Sequence, residues 1–295
     1  MSTINLLENF VNRLSEETEE EKKFGSNYAD KPSVAVIEEI IDLTKQIVFP
    51  GYFDTSKHTT SRYYYIGVLC EKLLYLLKIQ IRLSFKTFKN IDVKEPELDD
   101  LTLKFIDRIS SIKHMLYTDV DAMFHSDPAV TAYSEIILCY PVVQVMLHYR
   151  IAHELWKLQI PVIPRIITEL AHSRTGIDIH PGAQIDEYFS IDHGTGVVIG
   201  ETCIIGKHVT IYQGVTLGAK NFIYNEEGQP MNVPRHPILE DNVTVYSNSS
   251  ILGRITIGHD TIIGGNVWLT SNVKPNSRIL QRKAVPSNFT GGLGI

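Results

Sequence analysis

Aliphatic residues return every six positions along the second half of the chain, from Ile177 to Pro275. This period matches neither the 3.6 residues of a helical turn nor the alternation of an ordinary strand. It is typical of a parallel β-helix, in which each hexad supplies a short strand and a turn, and three hexads close a triangular coil. The positions predicted to fill the core include Ile199, Ile205, Ile211, Leu217, Leu239, Val245, Ile251, Ile257, Ile263 and Leu269.

The first half of the chain has apolar residues three and four positions apart, which predicts amphipathic helices. One such helical stripe consists of Phe105, Ile109, Ile112 and Leu116. Pro161 and Pro164 then interrupt the helical pattern. The predicted fold class is α+β, a helical N-terminal domain followed by a parallel β-helix. Its parts are a helical domain over 1–172, a β-helix over 173–275 with a protruding polar loop at 219–236, and a tail over 276–295.

Composition narrows the class of protein. Of the 295 residues 43% are hydrophobic, and the formal net charge is -6, without a basic stripe. This argues against a nucleic-acid partner. No apolar run reaches the ~18 residues of a membrane span, and the N-terminus lacks the pattern of a signal peptide, so we expect a cytoplasmic protein without membrane association. The three cysteines, Cys70, Cys139 and Cys203, lack the spacing of a disulfide framework.

Asp178 and His193 are the candidate catalytic pair. They lie 15 residues apart, and a coil takes ~18 residues, so the carboxylate is expected to lie close to the imidazole on the coil above. A carboxylate that holds one ring nitrogen leaves the other free to accept a proton, which would make His193 a general base. The alternative is a corner histidine satisfied by backbone groups. Glu201, on a later coil, is expected to be solvated.

A zinc site is a further possibility, because some trimeric β-helices bind zinc through a His-x4-His pair on their coils. The only such spacing here joins His148 and His153, in the helical half. We therefore expect no metal.

Several motifs in fixed order resemble serine O-acetyltransferases, a family of hexapeptide-repeat acyltransferases. The resemblance covers most of residues 115–275, and its combination of motifs is specific, whereas each motif alone is weak. It implies a left-handed β-helix, a hand that the repeat itself does not determine. The motifs are Ser126-Asp-Pro-Ala-Val130, Tyr149-Arg-Ile-Ala-His153, Asp178-Ile-His-Pro-Gly-Ala183, Ile191-Asp-His-Gly-Thr-Gly-Val-Val-Ile-Gly-Glu-Thr202, Tyr212-Gln-Gly-Val-Thr-Leu-Gly218 and Arg235-His-Pro237.

The resemblance implies transfer of an acetyl group from acetyl-CoA to the hydroxyl of L-serine, which gives O-acetyl-L-serine for cysteine biosynthesis. Acetyl-CoA would be a co-substrate, and no cofactor would be bound permanently. His193 would act by direct general-base catalysis, without an acylated enzyme residue. Two alternatives stay open: an O-acetyltransferase for a sugar or another hydroxyl acceptor, and a non-catalytic regulatory β-helix.

The resemblance also implies binding residues. Arg235 would bind the substrate carboxylate with His236 beside it, and Asp127 and Asp192 would face its ammonium group. The positions matched to acetyl-CoA binding are Ala219, Ser247 and Gly265. The sequence departs from the family's pattern at Tyr246-Ser247-Asn248, and after the last coil it has Leu280-Gln281-Arg282-Lys283 in place of Gly-x-Pro-Ala. Arg282 and Lys283 are candidates for the adenine and 3′-phosphate.

Partners follow from the same resemblance. We expect homotrimers that pair into a dimer of trimers through the helical domains, and L-cysteine as a feedback inhibitor that competes with serine. The ending Gly294-Ile295 is similar to the family's C-terminus that docks into O-acetylserine sulfhydrylase. A terminal carboxylate beside an apolar side chain can enter an amino-acid pocket. The alternative is a frayed chain end.

Overall fold

The computed structural model describes residues 3–24, 31–53, 61–221, 224–229, 231 and 233–281. Arg282, Lys283 and Ile295 therefore lie outside the described residues. The chain forms two compact units, Met1–Lys31 and Pro32–Ile295. The first unit contains two helices, α1 (Thr3–Ser15) and α2 (Glu19–Phe24).

The second unit begins with a set of helices whose apolar faces pack together. Its helices are α3 (Val34–Val48), α4 (Arg62–Lys89), α5 (Glu95–Ser126), α6 (Tyr133–Cys139), α7 (Pro141–Lys157) and α8 (Ile163–Thr175). The predicted stripe on α5 is buried, with Phe105 fully excluded from solvent. Pro164 lies in the first turn of α8, where a missing N–H is tolerated. Gly176 caps α8 at φ +70°, so the helix ends three residues beyond 172; the division into separate domains stays a prediction.

The β-helix follows directly after α8. Its strands are β1 (Asp178–Ile179), β2 (Gln184–Ile185), β3 (Ser190–Asp192), β4 (Val198–Ile199), β5 (Ile204–Ile205), β6 (Thr210–Tyr212), β7 (Thr216–Gly218), β8 (Ile238–Leu239), β9 (Thr244–Val245), β10 (Ser250–Leu252), β11 (Thr256–Ile257), β12 (Ile262–Ile263), β13 (Trp268–Leu269) and β14 (Arg278–Ile279). Strands three places apart pair in parallel, except that β14 pairs with β12, and the pairing makes three sheets. The predicted parallel β-helix is confirmed, because the hexad aliphatic residues point into one shared core.

The first coil is longer than the second. Asp178 pairs with Val198, whereas Val198 pairs with Thr216. Residues 193–197 join β3 to β4, whereas the corresponding corner of the next coil, between β6 and β7, consists of residues 213–215 only. The two extra residues therefore lie in the corner between β3 and β4. His193 occupies this corner with a left-handed backbone, at φ +58°. The long connection from β7 to β8 leaves the coil entirely, since β5 pairs with β8 across it.

A buried ion pair joins the helices to the first coil. The Asp119 carboxylate accepts hydrogen bonds from Arg150 Nη2 at 2.9 Å and Nε at 3.1 Å. Arg150 also donates to the carbonyl oxygens of Ile185 and Asp186, at 2.5 and 3.0 Å. The Phe189 N–H donates to Asp119 at 3.3 Å. The pair thus ties α5 and α7 to the backbone between β2 and β3, and we call it the Asp119–Arg150 clamp.

The neighbouring residues of α7 extend this attachment. The hydroxyl of Tyr149 donates to the carbonyl of Ala183 at 2.6 Å and accepts from the N–H of Ile185 at 3.1 Å. His153 Nδ1 lies 2.8 Å from the carbonyl oxygen of Pro181. The Tyr149–His153 motif is therefore the segment that docks the helices on the β-helix.

Arg150→Met tests the clamp. The change leaves the Asp119 carboxylate buried without its cation, so we expect the free energy of unfolding to fall by about 3–5 kcal/mol. Urea denaturation followed by circular dichroism measures the loss. Adding Asp119→Asn removes the unpaired charge and should recover part of the lost stability. A single variant as stable as the parent would show that the clamp is dispensable.

Candidate active site

The side chains singled out by sequence lie on two different edges of the triangular β-helix. We call the first the His193 edge; it consists of the corners 193–197, 213–215, 246–249 and 264–267. The second, the Arg235 edge, consists of the corners 180–183, 200–203 and 253–255 and of residues 219–221 and 233–237, which follow β7 and precede β8. Asp178 and Asp192 are strand residues, on β1 and β3, and the other candidate residues of the β-helix lie at the corners.

Asp127 lies close to the His193 edge, at the end of α5. Its carboxylate accepts hydrogen bonds from the N–H of Ala129 and from the hydroxyl of Tyr140, both at 2.8 Å. These bonds, the Ala129 bond first, lower the pKa of Asp127, and the nearby His193 acts in the same direction. Asp127 is therefore a fixed carboxylate near the imidazole. The Asp119–Arg150 clamp holds α5 in the position that makes this possible.

The carboxylate recorded beside the His193 ring is Asp192. Its Oδ1 atom lies 3.8 Å from His193 Nε2. The expected contact between Asp178 and His193 is not formed. Both residues are described, and no carboxylate oxygen of Asp178 lies within 4.0 Å of a ring nitrogen of His193. The His193 side chain lies on the longer corner and is 74% exposed. The catalytic role of either carboxylate stays a prediction.

Three tyrosines around these acids were not predicted. Tyr212 is the register partner of Asp192 on the next coil, and it stacks on Tyr246 with ring centroids 4.8 Å apart. The hydrogen bond to Asp127 is the main cause that raises the pKa of Tyr140 to about 12, so this hydroxyl remains a donor. Tyr212 opens one of the motifs of the sequence analysis, whereas no sequence signal pointed to Tyr140.

Arg235 and His236 lie together on the Arg235 edge, where Thr202 holds both. The Thr202 hydroxyl oxygen accepts from the backbone N–H groups of Arg235 and His236, at 2.9 and 3.1 Å. The Arg235 guanidinium pairs with Glu201 at 2.7 Å. The expectation of a solvated Glu201 is wrong, because its side chain is only 18% exposed. Glu201 thus fixes the direction of the guanidinium.

The imidazoles on the Arg235 edge are neutral near pH 7. Burial is the main cause that lowers the pKa values of His180 and His236 to about 4. In each ring Nδ1 accepts a backbone hydrogen bond, from Gly182 at 3.0 Å and from Thr202 at 3.1 Å. The proton of each neutral ring is therefore on Nε2. His236 can thus donate to an anion beside the Arg235 fork.

The positions matched to acetyl-CoA are divided between the edges. Ser247 and Gly265 lie on adjacent coils of the His193 edge, where a Cβ on Gly265 would lie 3.3 Å from the Ser247 carbonyl oxygen. Ala219 lies on the Arg235 edge, directly after β7. One β-helix therefore does not bring the three positions together.

The described residues contain no group of three or more His, Cys, Asp or Glu side chains arranged to hold a metal. His148 and His153 both lie on α7, where each Nδ1 bonds to a backbone carbonyl oxygen. Among the helices of the described ranges, none is long and apolar enough to cross a membrane.

Parallel coils with polar corners define a β-helix protein, and comparison with known proteins identifies it as an acyltransferase and gives its family. The chain is 44% identical over 262 residues to a plasmid serine acetyltransferase of Synechococcus elongatus, and the alignment covers 85% of this chain and 82% of that protein. It is 41% identical over 166 residues to the serine acetyltransferase of Bacillus subtilis, over 56% of this chain and 73% of that one. No protein-family model matches the chain.

Solved structures agree. Serine acetyltransferase 1 of Entamoeba histolytica in complex with L-cysteine superposes with a TM-score of 0.71 at 36% identity, over 84% of this chain and 87% of that one. Serine acetyltransferase isoform 3 from the same organism, in complex with cysteine, superposes with a TM-score of 0.72 at 32% identity, over 86% of this chain and 84% of that one. The chain belongs to the serine acetyltransferase family, and its fold is that family's left-handed β-helix.

His236, which is buried, and His180, which is half-buried, predict a stability that depends on pH. Folding lowers the pKa values of His180 and His236 from 6.5 to about 4, so the unfolded chain binds more protons between these values. The free energy of unfolding should therefore fall as the pH drops from about 6.5 towards 4. His180→Asn, whose Oδ1 can replace Nδ1 as an acceptor, should reduce this slope in urea denaturation. His114→Asn, at an exposed histidine, is the control; an unchanged slope in His180→Asn would contradict the assignment.

Proposed function

We propose that this enzyme transfers the acetyl group of acetyl-CoA to the hydroxyl of L-serine and so supplies O-acetyl-L-serine for cysteine biosynthesis. The observation that carries the proposal is the placement of Asp192 3.8 Å from the exposed His193 imidazole in a chain of this family, with Asp127 near enough for His193 to help lower its pKa. An amino-acid substrate needs both signs of charge. Asp127 and Asp192 suit its ammonium group, and Arg235 with His236 Nε2–H suits its carboxylate.

His193 is the proposed general base. A primary alcohol is a poor nucleophile until its proton is removed, and an imidazole can accept that proton near neutral pH. The serine oxygen then attacks the thioester carbonyl of acetyl-CoA, the C–S bond breaks, and the proton is returned to the CoA thiolate. Asp178 remains the proposed carboxylate that orients the ring. Asp192 is a second candidate for that role, because its carboxylate lies close to His193 Nε2.

The active site is proposed to be shared between subunits. Within one chain the two halves of the serine site lie on different edges of the prism, so His193 of one protomer needs Arg235 of the partner subunit. A cyclic trimer supplies this arrangement, because each contact then joins one His193 edge to the next Arg235 edge. Acetyl-CoA would lie in the groove between adjacent β-helices, against Ser247 and Gly265 from one edge and Ala219 from the other.

The remaining proposals concern partners. L-Cysteine carries the same ammonium and carboxylate as serine, and the two Entamoeba structures are cysteine complexes; we propose that it competes for this site. We also propose that trimers pair through the helices and that the protein is cytoplasmic. Two further proposals are the docking of Ile295 into O-acetylserine sulfhydrylase and contacts of Arg282 or Lys283 with CoA. A neutral sugar acceptor would leave both charged groups without a role, which disfavours that alternative.

His193→Ala tests the base. We expect turnover to fall by about 10²-fold or more, because no other group would accept the serine proton. Release of CoA thiol with acetyl-CoA and L-serine measures the rate, and the same assay separates this function from a non-catalytic β-helix. Asp178→Asn and Asp192→Asn should lower turnover less, and the larger effect identifies the orienting carboxylate.

His208→Ala is the matched control for this variant. His208 is exposed and occupies a corner with nearly the same backbone, at φ +56° against +58° for His193. It lies on the remaining edge of the prism and should retain activity. Near-normal turnover in His193→Ala would assign the base to another residue.

Mixing two inactive variants tests the shared site. Arg235→Ala should raise the KM for serine far more than that for acetyl-CoA, since the guanidinium would contact only the amino acid. When His193→Ala and Arg235→Ala chains are unfolded together and refolded, about a quarter of the sites in random trimers should contain both intact residues. Activity at low serine should then exceed that of either variant refolded alone. No recovery in verified mixed trimers would place both residues in one subunit's site.

A further inference from the structure

Tyr140 connects the helices to the candidate active site through a single side-chain hydrogen bond. Its hydroxyl donates to Asp127 Oδ2 at 2.8 Å, across 13 positions of the chain. Both side chains are partly exposed, so the carboxylate is open to a ligand while it is held from behind.

The backbone of Tyr140 is fixed by the two helices that it joins. The residue follows α6 and precedes α7, and its N–H donates to the carbonyl oxygen of Ile136 at 3.1 Å. Pro141 disfavours helical backbone at the residue before it, and Tyr140 is extended, at φ −80° and ψ 127°. Helix α7 is itself fixed to the first coil by the Asp119–Arg150 clamp. The hydroxyl is therefore presented from a rigid part of the molecule.

Asp127 is also held at its backbone, and its two oxygens have different donors. The N–H of Asp127 donates to the carbonyl oxygen of Met123 at 3.1 Å and ends α5, and Pro128 follows. Oδ1 accepts from the N–H of Ala129 at 2.8 Å, and Oδ2 accepts from Tyr140. One hydrogen bond would let the carboxylate turn, whereas one on each oxygen fixes its plane. A carboxylate oxygen can accept two bonds, so each has an acceptor position for a ligand.

The charges around this pair favour a cation. The hydrogen bond to Asp127 is the main cause that raises the pKa of Tyr140 to about 12, and the charges of Glu135 and Asp192 act in the same direction. The hydroxyl therefore keeps its proton at pH 7 and remains the donor. Three carboxylates act on this one hydroxyl, and His193 is close enough to act on Asp127. This part of the site is acidic and suits an ammonium group.

We propose that Tyr140 is a positioning residue for the amino-acid substrate, because its hydroxyl orients the Asp127 carboxylate so that the remaining acceptor positions meet the ammonium group. The inference rests on the function proposed above, in which Asp127 binds the ammonium of L-serine. Tyr140 acts through Asp127 and does not contact the substrate. A carboxylate that is already oriented loses less rotational freedom when the substrate binds. Tyr140 thus contributes to serine binding rather than to the chemical step.

Tyr140→Phe tests this role, because it keeps the ring and removes the hydroxyl. We expect the KM for serine to rise about tenfold, as for the loss of one hydrogen bond to a charged group. The kcat should change by less than about twofold, and the KM for acetyl-CoA should stay the same, since only substrate binding is affected. Release of CoA thiol measures all three. An unchanged KM for serine, or an equal rise in both KM values, would overturn the proposal.

Tyr133→Phe is the matched control. The hydroxyl of Tyr133 donates to Asp121 at 2.9 Å, and its ring stacks on Phe124 with centroids 4.1 Å apart. This bond also joins α6 to α5, but it does not involve Asp127. Its loss should leave both KM values unchanged. A rise in the KM for serine as large as that in Tyr140→Phe would mean that loosening of α5 and α6 causes the effect, and the proposal would be wrong.

A double-mutant cycle shows whether Tyr140 acts through Asp127. Asp127→Ala removes the carboxylate that Tyr140 orients, so adding Tyr140→Phe should cause no further loss of kcat/KM for serine. Losses that add in the double variant would show that Tyr140 acts by another route, which contradicts the proposal.

Calorimetric titration of the full-length protein with L-serine separates this inference from the proposed function. The Kd for serine should be about tenfold higher in Tyr140→Phe than in the parent protein. If the parent binds serine but transfers no acetyl group, the proposed function is wrong, and the two Kd values still decide the role of Tyr140. Equal Kd values would overturn the inference alone. A parent protein that does not bind serine would overturn both.

Discussion

The buried Asp119–Arg150 clamp is the constraint on which the arrangement of the site depends. Its two side chains are 4% and 5% exposed, and a charge at such a position is costly unless it is paired and hydrogen-bonded. Both groups are satisfied because α5 and α7 lie against the backbone of residues 185–189. The end of α5, with Asp127, therefore comes to rest near the corner that bears His193.

Most candidate residues of the β-helix lie at its corners, because every second strand residue is committed to the core; the exceptions are Asp178 on β1 and Asp192 on β3. A triangular prism has three edges, and in this chain the acidic residues with His193 lie on one edge while Arg235 and His236 lie on another. A single prism cannot bring two of its own edges together. The proposed activity thus depends on assembly, because rotational symmetry can place unlike edges of neighbouring chains side by side.

Burial separates the histidines into two kinds. His148, His180 and His236 have pKa values lowered to about 4 by burial, so they are neutral hydrogen-bonding groups at pH 7. His193 lies on an extended corner with most of its ring in solvent. A proton carrier must exchange protons during turnover, which fits the exposed ring; the buried rings instead offer one defined donor or acceptor each.

The sequence alone determined the β-helix, since a repeat of six admits no other common fold, and it indicated the helical half and most of the polar residues around the site through motifs. Residue spacing predicted Asp178 beside His193, whereas the carboxylate 3.8 Å from the ring is Asp192, because spacing along the chain does not determine the direction of a side chain on an exposed corner. The Arg235–Glu201 pair and the Tyr140–Asp127 bond also required the structure. Each joins residues far apart in the chain, and only the packing of helices and coils decides which of these meet.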